Sequence, residues 1–145
     1  KKLTSVAVAP LPASSGGIGN SSSGGGDDKQ EALLVGDKTG DVYALPLPGL
    51  GQTTLLLGHT ASIVTGLAIL PPGAGGGWRL ATSDRDEKVR VSTWPHTSVI
   101  SSFCLGHTAY VSGLLAVPSA EVGNLGAAAE AEAGAGAGAG GAACV

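Results

Sequence analysis

The chain has 145 residues, of which 25 are glycine, 8 are basic and 11 are acidic, so its formal net charge is −3 with neutral histidines. This length allows one domain at most. Charged residues make up only 13% of the chain and aromatic residues 3%, so we expect a small core. A mildly acidic chain has no positive field that would attract phosphates, which argues against nucleic-acid binding through bulk charge.

The sequence also lacks the signatures of membrane and secreted proteins. No apolar run reaches the roughly 18 residues that a membrane-spanning helix needs, and no secretory signal pattern is present. Methionine is absent and the chain opens on two lysines. We therefore expect an intracellular protein without a membrane segment, and we expect this chain to be a fragment of a longer one.

Short β-prone runs separated by turn residues predict an all-β fold, and no part of this core shows a helical period. Turns rich in charged residues and glycine are expected at 37–40 and 84–87. The predicted strands, in chain order, are 5–9, 32–35, 41–45, 55–57, 63–70, 78–82, 88–92, 99–105 and 111–117.

Three low-complexity tracts interrupt or follow these strands, at 13–28, 71–77 and 126–143. They consist mostly of Gly, Ser and Ala, which cost backbone entropy on ordering and bury little apolar surface in return. We therefore predict three regions. These are a first strand with a disordered Ser/Gly-rich insertion at 1–30, a repeat-bearing β fragment at 31–120, and a low-complexity Ala/Gly tail at 121–145.

The most informative feature is an internal repeat. The string LGHT at 57–60 recurs at 105–108, and each copy is followed by a polar bridge and an apolar strand that ends in proline. The period is 48 residues, which is longer than the repeat of about 40 to 45 residues in a typical propeller blade. The Gly-rich loop at 71–77 accounts for the surplus, so the repeat predicts successive blades of a β-propeller.

In such a blade, a buried polar chain can link the repeated histidine to a turn aspartate and a strand hydroxyl. The candidates here are His59, Asp86 and Thr82, with His107 in the second copy. The same three side chains could be drawn as a hydrolase triad. We favour the structural network, because the histidine belongs to a repeated motif and nothing nearby resembles an oxyanion site. The tryptophan usual on the third strand is replaced by Ser92.

The two cysteines, Cys104 and Cys144, have no C-x-x-C spacing, so neither a disulfide framework nor a zinc site is indicated. On its apolar strand, Cys104 is expected to act as a small buried hydrophobe. No G-x-x-x-x-G-K-[ST] loop is present. We therefore predict no metal and no cofactor.

One charged cluster, at 84–90, stands out from a nearly neutral core. Val89 and Val91 alternate with Lys88 and Arg90, so an extended strand would pack the valines on one face and present the cations on the other. Two interpretations remain open. The cluster is either a solvated turn, where exposed ion pairs contribute little, or a docking surface for carboxylates of a partner.

These strings resemble a known family. GDKTGDVYAL at 36–45, SDRDEKVRVS at 83–92 and SFCLGHT at 102–108 closely resemble the WD-repeat, non-catalytic subunit of the tRNA 7-methylguanosine methyltransferase. The resemblance implies a partial WD-repeat β-propeller, with about one complete blade at 55–91 and parts of two neighbours, out of an expected seven. Seven blades need about 300 residues, so this chain cannot close a ring.

By the same resemblance, the protein would be a non-catalytic scaffold in the nucleus that binds and stabilises the catalytic subunit as a heterodimer. The partner would methylate tRNA, and tRNA would be reached only through the complex. The residues implied to face the partner are Asp86, Glu87, Lys88 and Arg90. The alternative is a generic WD-repeat adaptor for protein complexes such as ubiquitin ligases.

Overall fold

The computed structural model describes residues 2–11, 30–60, 62–72 and 76–117. Within these ranges the chain forms eight strands, and no helix there could cross a membrane. The strands are β1 (Leu3–Pro10), β2 (Glu31–Asp37), β3 (Asp41–Leu47), β4 (Thr54–Gly58), β5 (Val64–Leu70), β6 (Arg79–Asp84), β7 (Val89–Thr93) and β8 (Ile100–Cys104).

The strands form two antiparallel four-stranded sheets in which neighbours in sequence are neighbours in space. The first sheet has the order β1-β2-β3-β4 and the second β5-β6-β7-β8. Sequential antiparallel pairing follows from the short connections, because a tight turn brings a strand back beside its predecessor. The prediction of an all-β fold is confirmed, and eight of the predicted strands are present with ends shifted by a few residues.

The ninth predicted strand, at 111–117, is wrong as secondary structure. The segment makes no ladder hydrogen bonds within the described residues, and a strand exists only where a neighbouring backbone supplies such bonds. Its side chains nevertheless pack, since Val111 is buried and Leu114 and Ala116 lie against a small apolar cluster of the second sheet. The apolar pattern therefore predicted burial correctly without predicting a pairing partner.

Each face of the second sheet carries its own apolar cluster. The larger core lies between the two sheets and includes Leu34 and Val42 from the first sheet with Leu67 and Leu80 from the second. The smaller cluster lies on the opposite face of the second sheet, where the 111–117 segment covers Ala68, Ala81, Val89 and Val91.

The two sheets meet mainly at their inner strands, since β5 packs against β1 and β2. Gly36 on β2 makes this approach possible, because a Cβ there would lie 2.6 Å from a methyl group of Val64. Farther out, the Thr97 hydroxyl donates to the Leu56 carbonyl at 2.7 Å and joins the loop after β7 to β4.

The structure groups the strands differently from the sequence repeat. The repeat at 55–91 takes β4 from the first sheet and β5, β6 and β7 from the second. The described residues thus form two four-stranded sheets, and the repeat joins the outermost strand of one to the inner strands of the next. The predicted insertion at 13–28 and the tail at 121–145 lie outside the described residues.

Candidate functional site

The charged turn between β6 and β7 is built around Asp84, the last residue of β6. Its Oδ1 accepts hydrogen bonds from the backbone N–H groups of Asp86, at 2.9 Å, and Lys88, at 3.2 Å. Glu87 closes the turn with a φ of 70°, a conformation that non-glycine residues rarely adopt. Asp84 itself is buried, so the turn is held from inside while its other charged side chains point outward.

The turn between β2 and β3 repeats this design. Oδ1 of Asp37 accepts hydrogen bonds from the backbone N–H groups of Thr39, at 2.8 Å, and Asp41, at 3.0 Å. Here Gly40 occupies the position of positive φ, at 97°. The two sheets therefore end in equivalent turns at the same end of the molecule.

A buried histidine, His59, joins the turn between β6 and β7 to the loop between the sheets. Nδ1 of His59 lies 2.9 Å from Oδ2 of Asp84, and its Nε2 lies 2.7 Å from Oγ1 of Thr82. The His59 and Asp84 side chains are each only 5% exposed. A carboxylate can only accept, so Nδ1 donates to Asp84, and Nε2 of a neutral ring then accepts from the threonine hydroxyl. The structure thus brings His59 and Thr82 together.

The carboxylate in this network is Asp84, which corrects the assignment of Asp86. The side chain of Asp86 is 46% exposed, and its nearest cation is Arg85, with Nε at 3.9 Å from Oδ1. The physical reason is position, because Asp84 ends a strand and points inward whereas Asp86 lies on the turn. Aligning GDKTGD with SDRDEK in the sequence would have found this, since Asp37 then matches Asp84.

A hydrolase that used Thr82 as its nucleophile would need this hydroxyl to be accessible to substrate. Thr82 is fully buried and the His59 ring almost so, so no substrate could reach the hydroxyl. Ser92, at the position expected for tryptophan, is fully buried. Trp94 instead packs in the main core, and its indole N–H donates to the carbonyl oxygen of Pro10.

Two other predicted residues lie apart from the network. His107 is half-buried beyond β8, and its counterparts of Thr82 and Asp84 would fall after residue 117, outside the described residues. Cys104 is half-buried against the smaller apolar cluster and is disulfide-bonded. That bond corrects the expectation of a simple buried hydrophobe.

The remaining charged residues of the cluster present an outer surface. Glu87 and Lys88 are exposed, while Arg90 is half-buried. Arg90 donates from Nε to the Ser92 hydroxyl at 3.0 Å and from Nη2 to the Thr97 carbonyl at 2.8 Å. Desolvation lowers the pKa of Arg90 from its ordinary value, although arginine stays charged in proteins. No carboxylate from the described residues pairs with it.

Among the described residues, no three His, Cys, Asp or Glu side chains converge as metal ligands would. The arrangement can therefore fix the turn through a buried network and present charge outside it.

Comparison with known proteins identifies a matching family. The family model for the tRNA methyltransferase TRM82 WD40 domain matches residues 49–125. This range includes LGHT at 57–60, the charged turn and the second LGHT. The expected partial WD-repeat propeller is thereby confirmed.

Individual relatives carry consistent names. The chain is 46% identical over 90 residues to the tRNA (guanine-N(7)-)-methyltransferase non-catalytic subunit wdr4 of Xenopus laevis, covering 61% of this chain and 22% of the relative. It is 45% identical over 94 residues to the human protein of that name, covering 62% and 21%. For the Caenorhabditis elegans non-catalytic subunit the identity is 42% over 88 residues, covering 60% and 21%.

The chain spans about a fifth of the length of these relatives. The relatives are named as non-catalytic subunits, and the family match extends over more than half of the present chain. The chain therefore belongs to the tRNA methyltransferase TRM82 WD40 domain family.

Proposed function

We propose that this protein is a non-catalytic scaffold that binds and stabilises the catalytic subunit of a tRNA (guanine-N(7)-)-methyltransferase. The names of its relatives support the complex. The observation that carries the docking role is the charged turn with Arg90, whose guanidinium has no carboxylate among the described residues. Carboxylates of the catalytic subunit would complete that pairing through charge-assisted hydrogen bonds.

The first test concerns the activity of the complex. The full-length protein and its methyltransferase partner are expressed together and separately, and 7-methylguanosine formation in tRNA is measured. We expect methylation to fall strongly without the scaffold, and the catalytic subunit to be less stable to heat. Undiminished methylation in its absence would reject the role.

The second test concerns the docking surface. Lys88→Glu combined with Arg90→Glu should sharply reduce co-purification of the catalytic subunit, because both cations become anions facing carboxylates. The matched control is Lys2→Glu with Lys38→Glu, which makes the same change of net charge at two exposed lysines of the first sheet. Lys88→Glu alone keeps the test valid if the half-buried Arg90 cannot be reversed without unfolding. Equal recovery with all variants would count against the surface.

The same pull-down separates the adaptor alternative. A generic WD-repeat adaptor would recover a ubiquitin ligase or another assembly and no methyltransferase. We also propose that the complex works in the nucleus, with tRNA contacted through the catalytic subunit. Fluorescence microscopy of the tagged protein checks this location, and exclusion from the nucleus would refute it.

A further inference from the structure

The outermost strand of the second sheet carries an exposed apolar row. Ile100 is 44% exposed, Phe103 49% and Leu105, directly after β8, 66%. Apolar side chains exposed singly are normal, but several adjacent ones indicate a contact surface. We define these three residues as the β8 row.

The strand register places this row beside Arg90 of β7. Phe103 lies directly opposite Arg90, and Ile100 opposite Ser92. Residues opposite each other in a ladder share one face of the sheet. Lys88 directly precedes Val89 and Leu105 directly follows Cys104, which form the last pair of the ladder. One sheet face thus presents Arg90 on β7 beside the apolar β8 row.

The first sheet lacks this combination at the equivalent positions. There Tyr43 lies opposite Leu55, and Leu55 is 58% exposed. Tyr43 stands where the repeat places Arg90, and Asp41 stands where it places Lys88. The Tyr43 hydroxyl donates to Oδ2 of Asp41 at 2.9 Å. The apolar position is common to both sheets, whereas the cations belong to the second alone.

Arg90 and the β8 row lie on the face of the second sheet that is turned toward the first sheet. Leu80 shares their face of the second sheet, since it is opposite Ser92 on the ladder, and it packs in the core between the sheets. Farther out, the hydroxyl of Thr97 donates to the Leu56 carbonyl at 2.7 Å, linking this region to β4. Phe103 remains 49% exposed, so the inner part of this sheet face is covered and its outer part is open.

We infer that this open outer part of the sheet face receives an amphipathic, acidic segment of the catalytic subunit. Its apolar side chains would cover the β8 row, and its carboxylates would pair with Arg90 and Lys88. This inference rests on the proposed function and adds that half of the docking surface is apolar. Charge complementarity selects the acidic occupant, because Arg90 is already partly desolvated and lacks a carboxylate among the described residues. Arginine is also among the residues that most often contribute binding energy at interfaces.

The experiment compares Phe103→Ser with Leu55→Ser in the full-length protein. Both changes remove an exposed apolar side chain at the equivalent position of an outermost strand. Calorimetric titration against the purified catalytic subunit should give about tenfold or greater weakening for Phe103→Ser and no change for Leu55→Ser. The loss should persist at high salt, because the Phe103 contribution is not ionic. Ile100→Ser provides a second variant, and circular dichroism confirms folding.

The outcomes separate this inference from the proposed function. If the wild-type protein does not bind the catalytic subunit, both fail. If the wild type binds and Lys88→Glu weakens it while Phe103→Ser and Ile100→Ser do not, only the apolar half of the surface is overturned. Equal weakening by Phe103→Ser and Leu55→Ser would also overturn it, because the effect would not be specific to the second sheet.

Discussion

His59 connects the loop between the two sheets to the end of β6. Its backbone N–H donates to the Gly40 carbonyl at 2.8 Å, while its ring contacts Asp84 and Thr82. One residue therefore touches the turns of both sheets. A buried polar network of this kind is stabilising only when every member is satisfied.

The first prediction tests which aspartate belongs to the network. Asp84→Ala should lower the free energy of unfolding by about 3 kcal/mol, because it leaves the His59 ring without its buried carboxylate. It also removes the acceptor of two turn N–H groups. Asp86→Ala should stay within about 0.5 kcal/mol of wild type, since its side chain is exposed. Urea denaturation measures both.

A double-mutant cycle supplies the control. The double variant, His59→Ala with Asp84→Ala, should lose less stability than the two single variants lose together. The reason is that either single change already abolishes the interaction between the two side chains. Strict additivity would show that the two side chains do not interact. A larger loss for Asp86→Ala than for Asp84→Ala would restore the original assignment.

The sequence predicted that His59 and Thr82 belong to the buried polar network, but it did not predict Asp84. Three acidic residues, Asp84, Asp86 and Glu87, lie within the turn, and composition alone does not say which one the strand directs inward. The side chain that ends a strand follows the alternation of that strand, so the answer depended on where β6 ends. Arg90 was predicted to face outward, whereas its hydrogen bonds to Ser92 and Thr97 come from a register that the sequence does not display.

The two equivalent turns differ in one element-level feature, the residue at the position of positive φ. Glu87→Gly should stabilise the protein by about 0.5–1 kcal/mol, because relief of about 1–2 kcal/mol of strain exceeds the entropy gained by the unfolded chain. Gly40→Ala should destabilise it by about 2 kcal/mol or more. A Cβ at Gly40 would lie 2.5 Å from the His59 carbonyl oxygen and 2.6 Å from that of Ser62.

Thermal unfolding followed by circular dichroism measures both changes against wild type. Lys38→Gly, at an exposed position of the first turn without positive φ, serves as the control for the entropy of an added glycine. It should destabilise slightly. A loss of stability in Glu87→Gly similar to that of Lys38→Gly would mean that the turn holds no strain at Glu87.

The end of β7 provides the next element-level prediction. Trp94→Phe should destabilise the protein by roughly 1–3 kcal/mol, because the Pro10 carbonyl loses its indole donor in a buried place. Trp78→Phe is the control, since Trp78 is only half-buried and contributes its backbone carbonyl to Trp94. Urea denaturation should show the smaller loss for Trp78→Phe. Equal losses would assign the effect to ring size rather than to the hydrogen bond.

The strands themselves were largely predictable, because apolar alternation and charged turns mark them locally. The 111–117 segment shows the limit of that signal. Its alternation predicts one buried face, and Val111 and Leu114 do contact the second sheet. Whether such a segment becomes a strand depends on a second backbone beside it, and local sequence carries no information about that neighbour.

At the scale of the whole molecule, the two sheets stack in the same orientation. Each sheet therefore has two different faces. The face of the second sheet that points away from the first sheet is covered by the 111–117 segment. The face of the first sheet that points toward the second sheet lies in the core, whereas its opposite face exposes Val6, at 64%, and Val8, at 53%. The register places these two valines opposite Val35 and Leu33, and Val35 is itself buried, so the exposed apolar area lies along β1.

This open face predicts that the 145 residues expressed alone will self-associate. Sedimentation velocity should show the weight-average mass rising with concentration, because an exposed apolar sheet face is a docking or aggregation surface. Val6→Thr with Val8→Thr should reduce that rise, since threonine keeps the strand propensity while adding a hydroxyl. Leu115→Thr should not, although Leu115 is 86% exposed, because it stands away from the sheet face. A wild-type chain that remains monomeric at every concentration would contradict the prediction, and equal behaviour of the variants would place the contact elsewhere.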